Sequence, residues 1–230
     1  DNLEPLVEQV RQATVDAGID TEMIVVDDGS SDQTLDRLMT LSQRCSWLTV
    51  LHRDHPMGQS ASLHAGIRAA RGRFIATLDG DLQNDPADLP TMLNSMRTGD
   101  ADMVQGDRTA NRRDTMKRRF SSWVGRMARR LILSDATRDT GCSTRMMRAA
   151  FARQLPLQFR GMHRFIPIYG HLIGARIIEV SVNHRPRVLG VTKYGMRNRG
   201  VAGLIDCFAV RWMRNRHCDT TVVEMSRQSS

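Results

Sequence analysis

The chain has no run approaching the ~20 consecutive apolar residues that a membrane-spanning helix needs. It shows no secretory signal pattern at its start. Contact with a membrane is therefore expected to be peripheral, or to run through a membrane-protein partner. Aromatic residues are scarce, at 5%, which is little for a surface that stacks bases. The four cysteines, Cys45, Cys142, Cys207 and Cys218, are scattered and lack the close pairing of a zinc site. Beside 14 methionines they read as reduced, buried thiols of a cytoplasmic protein. There is no internal repeat, which excludes solenoids and arrays.

What is present suffices for one folded unit. The 230 residues, 40% hydrophobic and 25% charged, can bury a core as a single domain. The net charge of +8 is unevenly spread. Residues 1–102 hold 8 Lys/Arg against 17 Asp/Glu, whereas residues 103–230 hold 25 against 8. An acidic half joined to a basic half suits two tasks, gripping a metal and gripping anions.

Periodicity predicts the elements. Leu3, Leu6, Val7, Val10, Ala13 and Ala17 recur at helical spacing. Met23–Val26 reads as a buried strand ending in Asp27-Asp28-Gly29-Ser30, and Ser31 or Asp32 caps a helix to about residue 44. Leu48–Leu51 is a second strand, the Ala-rich residues 59–71 a helix, and Phe74–Leu78 a strand ending at Asp79. Met103–Gln105 and residues 176–183 are further strands. Residues 116–133 form a basic amphipathic helix, and Val201, Leu204, Ile205, Phe208 and Trp212 form a second stripe. The end of the chain, from 218, reads as a frayed tail. Strands alternating with helices mean an α/β fold with a mixed, mainly parallel sheet, and ligands at the carboxyl ends of its strands. Both acidic clusters stand at such ends.

Asp79 and Asp81 lie two apart, so both carboxylates can face one way, and Gly80 between them lets a ligand approach the backbone. Gln83 adds a neutral oxygen. Such hard oxygen ligands suit Mg²⁺ or Mn²⁺ bridging a diphosphate. Taken alone, the pattern reads more readily as a solvated acidic turn than as a metal site. At the earlier strand end, Asp27 or Asp28 can accept hydrogen bonds from a nucleobase or ribose, or simply turn the chain, while Asp32 reads as a cap. The small residues Gly58, Ala61, Ala65, Gly66, Ala69, Ala70 and Gly72 permit close helix–sheet packing beside a ligand.

The runs Val25-Val26-Asp27-Asp28-Gly29-Ser30, Gly58…Gly66…Gly72 and Leu78-Asp79-Gly80-Asp81-Leu82-Gln83 resemble glycosyltransferase family 2, with the GT-A (Rossmann-like) fold. More narrowly, the chain is similar to the dolichyl- or polyprenyl-phosphate mannosyltransferase group. Gly106-Asp107-Arg108, Asp139-Thr140-Gly141-Cys142, His163–Pro167, His184–Arg187 and Gly190–Gly195 extend the likeness over roughly residues 1–213. It implies a nucleotide-sugar half at 1–107, an acceptor and membrane-facing half at 108–213, and a tail at 214–230. It also implies donor binding by Asp27, Asp28, Gly58, Asp79 and Arg108, and metal binding by Asp79, Asp81 and Gln83. Arg108, Arg118, Ser122, Arg187, Thr192 and Lys193 would hold the acceptor phosphate, with Asp139, Arg164 and His184 as further site candidates. The family begins with a strand ending in Pro-x-Tyr-Asn-Glu. This chain starts at Asp1-Asn2-Leu3, just past that point, so a sheet one strand short is expected.

The implied reaction moves a sugar from GDP-mannose or a UDP-sugar to a polyprenyl phosphate at the cytoplasmic face of a membrane, with inversion. Lys117, Arg118, Arg119, Arg126, Arg129 and Arg130, with no acid in residues 115–134, suit a membrane interface. A phosphate monoester, with a second pKa near ~6, is already ionised and needs no strong base. His184 therefore reads as a positioning residue rather than a base. Three rivals are weighed. A nucleic-acid binder would explain a pI near 10.3 but not two acidic clusters at strand ends. A family 2 enzyme acting on a polysaccharide or glycolipid hydroxyl is closer. The processive synthases, however, carry Gln-x-x-Arg-Trp, and here Phe208 stands where the Gln should precede Arg211-Trp212. A non-catalytic lipid-surface module is the third.

Overall fold

A computed structural model describes residues 2–109, 127, 129–134, 137–185 and 196–218. Helix α1 (Leu3–Val10) runs on through one wide turn, Arg11–Val15, and buries Leu6, Val7 and Val10. Strand β1 (Met23–Asp27) pairs in parallel with β2 (Leu48–His52), in register from Met23–Leu48 to Asp27–His52. Helix α2 (Thr34–Arg44) makes the crossover between them, and Asp32 acts as expected, accepting the Thr34 N–H at 3.0 Å at its start. Helix α3 (Gln59–Ala69) leads to β3 (Phe74–Thr77), and α4 (Leu89–Thr98) to β4 (Met103–Asp107). Then follow β5 (Arg145–Arg148), α5 (Ile166–Leu172), β6 (Ile177–Ser181) and the long α6 (Met196–Arg216).

The second sheet has the order β3-β5-β4-β6. Its β4–β6 pair is parallel, while β5 runs antiparallel to both β3 and β4. The sheet is thus mixed, with helices on both faces. Side chains alternate along β4 and β5, as a pleated strand requires. Met103 and Met147 face a core with Phe151, Leu157, Phe165 and Ile166, to which α6 adds Cys207 and Val210. Val104 and Met146 face Met92 and Met96 of α4. Gly106 sits in the middle of this sandwich because nothing larger fits. A Cβ there would stand 2.8 Å from the Thr144 carbonyl oxygen and 3.0 Å from Cys142 Sγ and Val182 Cγ2.

Strands β1 and β3 are end strands of their two sheets, and both border one cavity of about 750 Å³. Every residue of Met23–Asp27 and of Arg73–Gly80 lines it. A cavity over a sheet face would touch alternate residues, so this one lies between strand edges. The sequence led us to expect a sheet one strand short; in the structure β1 and β3 belong to separate sheets, with this cavity between them. The apolar side chains of Met23, Ile24, Val25 and Val26 are consequently only half-buried, although such an unbroken apolar run normally marks a strand covered on every side.

Candidate active site

The two acidic clusters project from the carboxyl ends of β1 and β3, and Asp27, Asp28 and Asp79 all line the cavity between those strands. Asp27, the last residue of β1, is almost fully buried. Its Oδ1 accepts the Ser30 hydroxyl, and its Oδ2 lies 2.8 Å from Nδ1 of His52 at the end of β2. Asp28 takes the Met57 N–H at 3.0 Å on one oxygen and the Gly58 N–H at 2.6 Å on the other. It thereby ties the loop after β1 to the start of α3. Gly29 between these contacts needs to be glycine: its φ is +74°, and a Cβ would lie 3.0 Å from the Pro56 nitrogen.

Past β3 the chain turns sharply. Leu82 adopts φ +61°, a left-handed conformation that an ordinary side chain enters at a cost of about 1–2 kcal/mol. The turn closes when Asp81 Oδ1 accepts the Gln83 N–H at 3.1 Å. Asp79 Oδ1 accepts Gln59 Nε2 at 2.9 Å, a bond from the first turn of α3. Burial raises the Asp79 pKa above the usual carboxylate range, and the neighbouring Asp81 charge adds to the rise. The Ser143 hydroxyl, Arg145 and Arg108 pull it back without cancelling it. A desolvated carboxylate beside a second one favours a bound proton or cation over two bare charges. Among the described residues no three His, Cys, Asp or Glu side chains form a closed metal cage. Two carboxylates alone fit an open site, where they would supply part of the oxygen shell of a hard divalent ion.

The wall behind Asp79 is cationic. Arg108, just past β4, forks onto Asp139, with Nε 2.8 Å from Oδ2 and Nη2 3.2 Å from Oδ1. Both side chains are mostly buried. Burial alone would lower the Arg108 pKa, but the hydrogen bonds and charge of Asp139 outweigh it and the net shift is upward. Arg145, the first residue of β5, is only 3% exposed. Its Nε donates to Gln105 Oε1 at 2.9 Å and its Nη2 to the Thr140 carbonyl at 3.0 Å. Gln105 in turn donates to the carbonyls of Gly106, Asp139 and Cys142. Burial brings the Arg145 pKa down to about 10, while Cys142, Asp79 and Asp139 oppose that shift. It stays a cation at neutral pH, held against the floor of the acidic site.

Asp79, Arg108 and Asp139, named from the sequence, are thus joined in one electrostatic group, and Asp28 and Gly58 are bonded to each other. Asp81 adds its charge to the same group. Arg164 faces Asp206 of α6, and His184 makes an isolated antiparallel bridge with Asn84. Arg118, Ser122, Arg187, Thr192 and Lys193 lie outside the described residues. Four participants escaped the sequence reading: Gln59, Ser143, Arg145 and His52. Arg145 stands three residues past Asp139-Thr140-Gly141-Cys142, but nothing in a sequence marks a charge as buried.

A family model described as Glycosyl transferase family 2 matches residues 1–155. The chain is 37% identical over 209 residues to dodecaprenyl-phosphate galacturonate synthase of Rhizobium johnstonii, covering 90% of this chain and 61% of that protein. It is 33% identical over 196 residues to undecaprenyl-phosphate 4-deoxy-4-formamido-L-arabinose transferase of Pseudomonas paraeruginosa, covering 84% and 56%. The chain therefore spans about three fifths of the length of the curated relatives it matches. Among solved structures it resembles glucosyl-3-phosphoglycerate synthase of Mycobacterium tuberculosis in complex with Mn²⁺, UDP-glucose and phosphoglyceric acid. That likeness has a TM-score of 0.64 at 18% identity, over 96% of this chain and 79% of that one. A mannosyltransferase of Pyrobaculum calidifontis, in complex with GDP-mannose and Mn²⁺, gives a TM-score of 0.56 at 16% identity, over 82% and 54%. With acid pairs at two strand ends of an α/β sheet and a family match over the greater part of its length, the chain belongs to glycosyltransferase family 2 and has the GT-A fold.

Proposed function

We propose that the protein transfers a sugar from a nucleoside-diphosphate sugar to a polyprenyl phosphate at a membrane surface, inverting the anomeric centre. The observation that carries this reading is the electrostatic coupling of Asp79, beside Asp81, to the buried cations Arg108 and Arg145. Such a site can hold a diphosphate through a cation on one side and offset anionic charge on the other. The two relatives, both named as polyprenyl-phosphate sugar transferases or synthases, support the acceptor class. Residues 1–107 serve as the nucleotide-sugar half and 108–213 as the acceptor half, at the cytoplasmic face.

In this reading Asp79 and Asp81, with Gln83 beside them, would hold Mg²⁺ or Mn²⁺, whose charge would neutralise a departing diphosphate. Asp27 and Asp28 fix the loop that meets the nucleoside, with Gly58 at the start of α3. An oxygen of the acceptor phosphate attacks the anomeric carbon from the face opposite the diphosphate. The new C–O bond forms as the old one breaks, and the nucleoside diphosphate leaves with the electron pair. No proton has to be removed, because the phosphate is already ionised at neutral pH. Arg108, Arg118, Ser122, Arg187, Thr192 and Lys193 offset the repulsion between two anions, and Asp139 positions Arg108. His184 and Arg164 orient the surrounding loops.

The division of labour is testable by calorimetry and turnover. Asp81→Ala is expected to abolish transfer and metal-dependent donor binding. Lys193→Ala is expected to leave donor binding intact and to raise the acceptor KM. Equal loss of donor binding in both variants would contradict the assignment.

A further inference from the structure

Helix α6 carries its apolar stripe outward. Leu204 is 45% exposed, Ile205 63%, Phe208 57% and Trp212 64%. The helix is anchored from its other side, where Cys207 and Val210 enter the core and Arg214 Nη1 donates to the Leu133 carbonyl at 2.8 Å. At about 100° per residue, the four exposed side chains fall within an arc of roughly 100°. Arg211 lies about 20° beyond one edge of that arc and Arg216 about 20° beyond the other. Both arginines are exposed. Arg211 also reaches the Ile132 carbonyl at 3.4 Å, beside Leu131, which is itself 74% exposed. Asp206 does not share this face: it is turned inward, toward Gly161 and the Arg164 charge.

We propose that this face of α6, with Leu131, is a docking surface for an anionic lipid bilayer. The helix lies along the interface, with Phe208, Trp212 and Ile205 among the upper acyl chains and Arg211 and Arg216 at the headgroups. Three features select lipid over a protein partner. The apolar arc is continuous over more than two turns, its flanking charge is of one sign, and an arginine borders each edge where a side chain can reach up to phosphate. The surface deepens the acceptor reading, because it would bring the cationic half of the molecule to the membrane that carries a prenyl lipid. It rests on that reading only for the identity of the acceptor.

The test is flotation with vesicles of equal parts phosphatidylglycerol and phosphatidylcholine, containing no polyprenyl phosphate, against vesicles of phosphatidylcholine alone. The protein is expected to float with the anionic vesicles. A Phe208→Glu/Trp212→Glu variant is expected to lose about tenfold or more in binding. Arg211→Gln and Arg216→Gln are each expected to lose about fivefold at low salt. Should the double variant fold poorly, Trp212 can report directly. With Trp47 and Trp123 replaced by Phe, brominated lipid should quench its fluorescence. Absence of flotation, equal flotation of the variants, or an unquenched Trp212 would overturn the proposal. A lipid-free dimer dissolved by Phe208→Glu would overturn it in favour of a protein interface. Transfer to a short-chain, water-soluble prenyl phosphate is read separately, so docking can fail while the catalytic reading stands, and the reverse.

Discussion

Replacing Arg145 by Met tests the electrostatic floor of the site. The side chain is 3% exposed and gives two hydrogen bonds, to Gln105 Oε1 and to the Thr140 carbonyl. Met fills similar space but leaves both acceptors buried without that donor, at about 1–3 kcal/mol each. Relief from burying a cation offsets some of this loss, since burial already drags the Arg145 pKa to about 10. The net loss is expected to be about 2–4 kcal/mol in urea unfolding. A second readout separates charge from packing. Arg145 is one of the cations that restrain the raised pKa of Asp79, so without it that pKa climbs further. The acid limb of the kcat/KM profile for transfer should then move to higher pH in the Met variant. Arg145→Lys keeps the charge but not the fork of donors, so it should lose stability while leaving the acid limb nearly in place. A stability change under about 0.5 kcal/mol, within the range of ordinary surface substitutions, would refute the buried-network argument. An acid limb that does not move would refute the link to Asp79.

Asp79→Asn should abolish transfer yet stabilise the fold. The folded-state pKa of Asp79 is raised, so its favourable contribution holds at low pH and is lost as pH rises through that value. Calorimetry at neutral pH should show a higher Tm for the Asn variant, a gain that vanishes as pH falls below the usual carboxylate range. Gly106→Ala should cost about 1–3 kcal/mol in chemical denaturation, because the Thr144 carbonyl at 2.8 Å is backbone and cannot step aside. Hydrogen exchange should find the β1–β2 ribbon opening more readily than β4 and β5. A two-stranded pair is marginal alone and borders the cavity on one side, whereas β4 is buried at every residue.

The elements that read clearly in the sequence are those whose burial is one-sided and periodic. Leu6, Val7 and Val10 of α1 declare themselves by spacing alone, and the apolar run of β1 by its continuity. Strand β5 does not, because Arg-Met-Met-Arg looks like a surface turn until Arg145 is seen bonded inside the sheet. Helix α4 hides behind prolines at 86 and 90, which suit a first turn as well as a loop. The Asp79–Asp81 turn was legible as chemistry. Its supports were not, because Gln59, Ser143 and Arg145 arrive from 20 to 66 residues away by folding. The α6 stripe was visible as a pattern, but periodicity does not say which side of a helix meets the core. Here the buried side is Cys207 and Val210, and the larger apolar side chains point out.

The central claim is that the acidic turn and the cationic wall together move a sugar onto a lipid phosphate. The most direct measurement supplies vesicles bearing polyprenyl phosphate, Mg²⁺ or Mn²⁺, and radiolabelled nucleotide sugars in turn, including galacturonate, glucose and mannose donors. Label is then counted in the organic phase. Label from at least one donor is expected, dependent on metal and on polyprenyl phosphate and abolished by Asp81→Ala. An organic phase without label for every donor, while the same protein binds a nucleotide sugar, would contradict it.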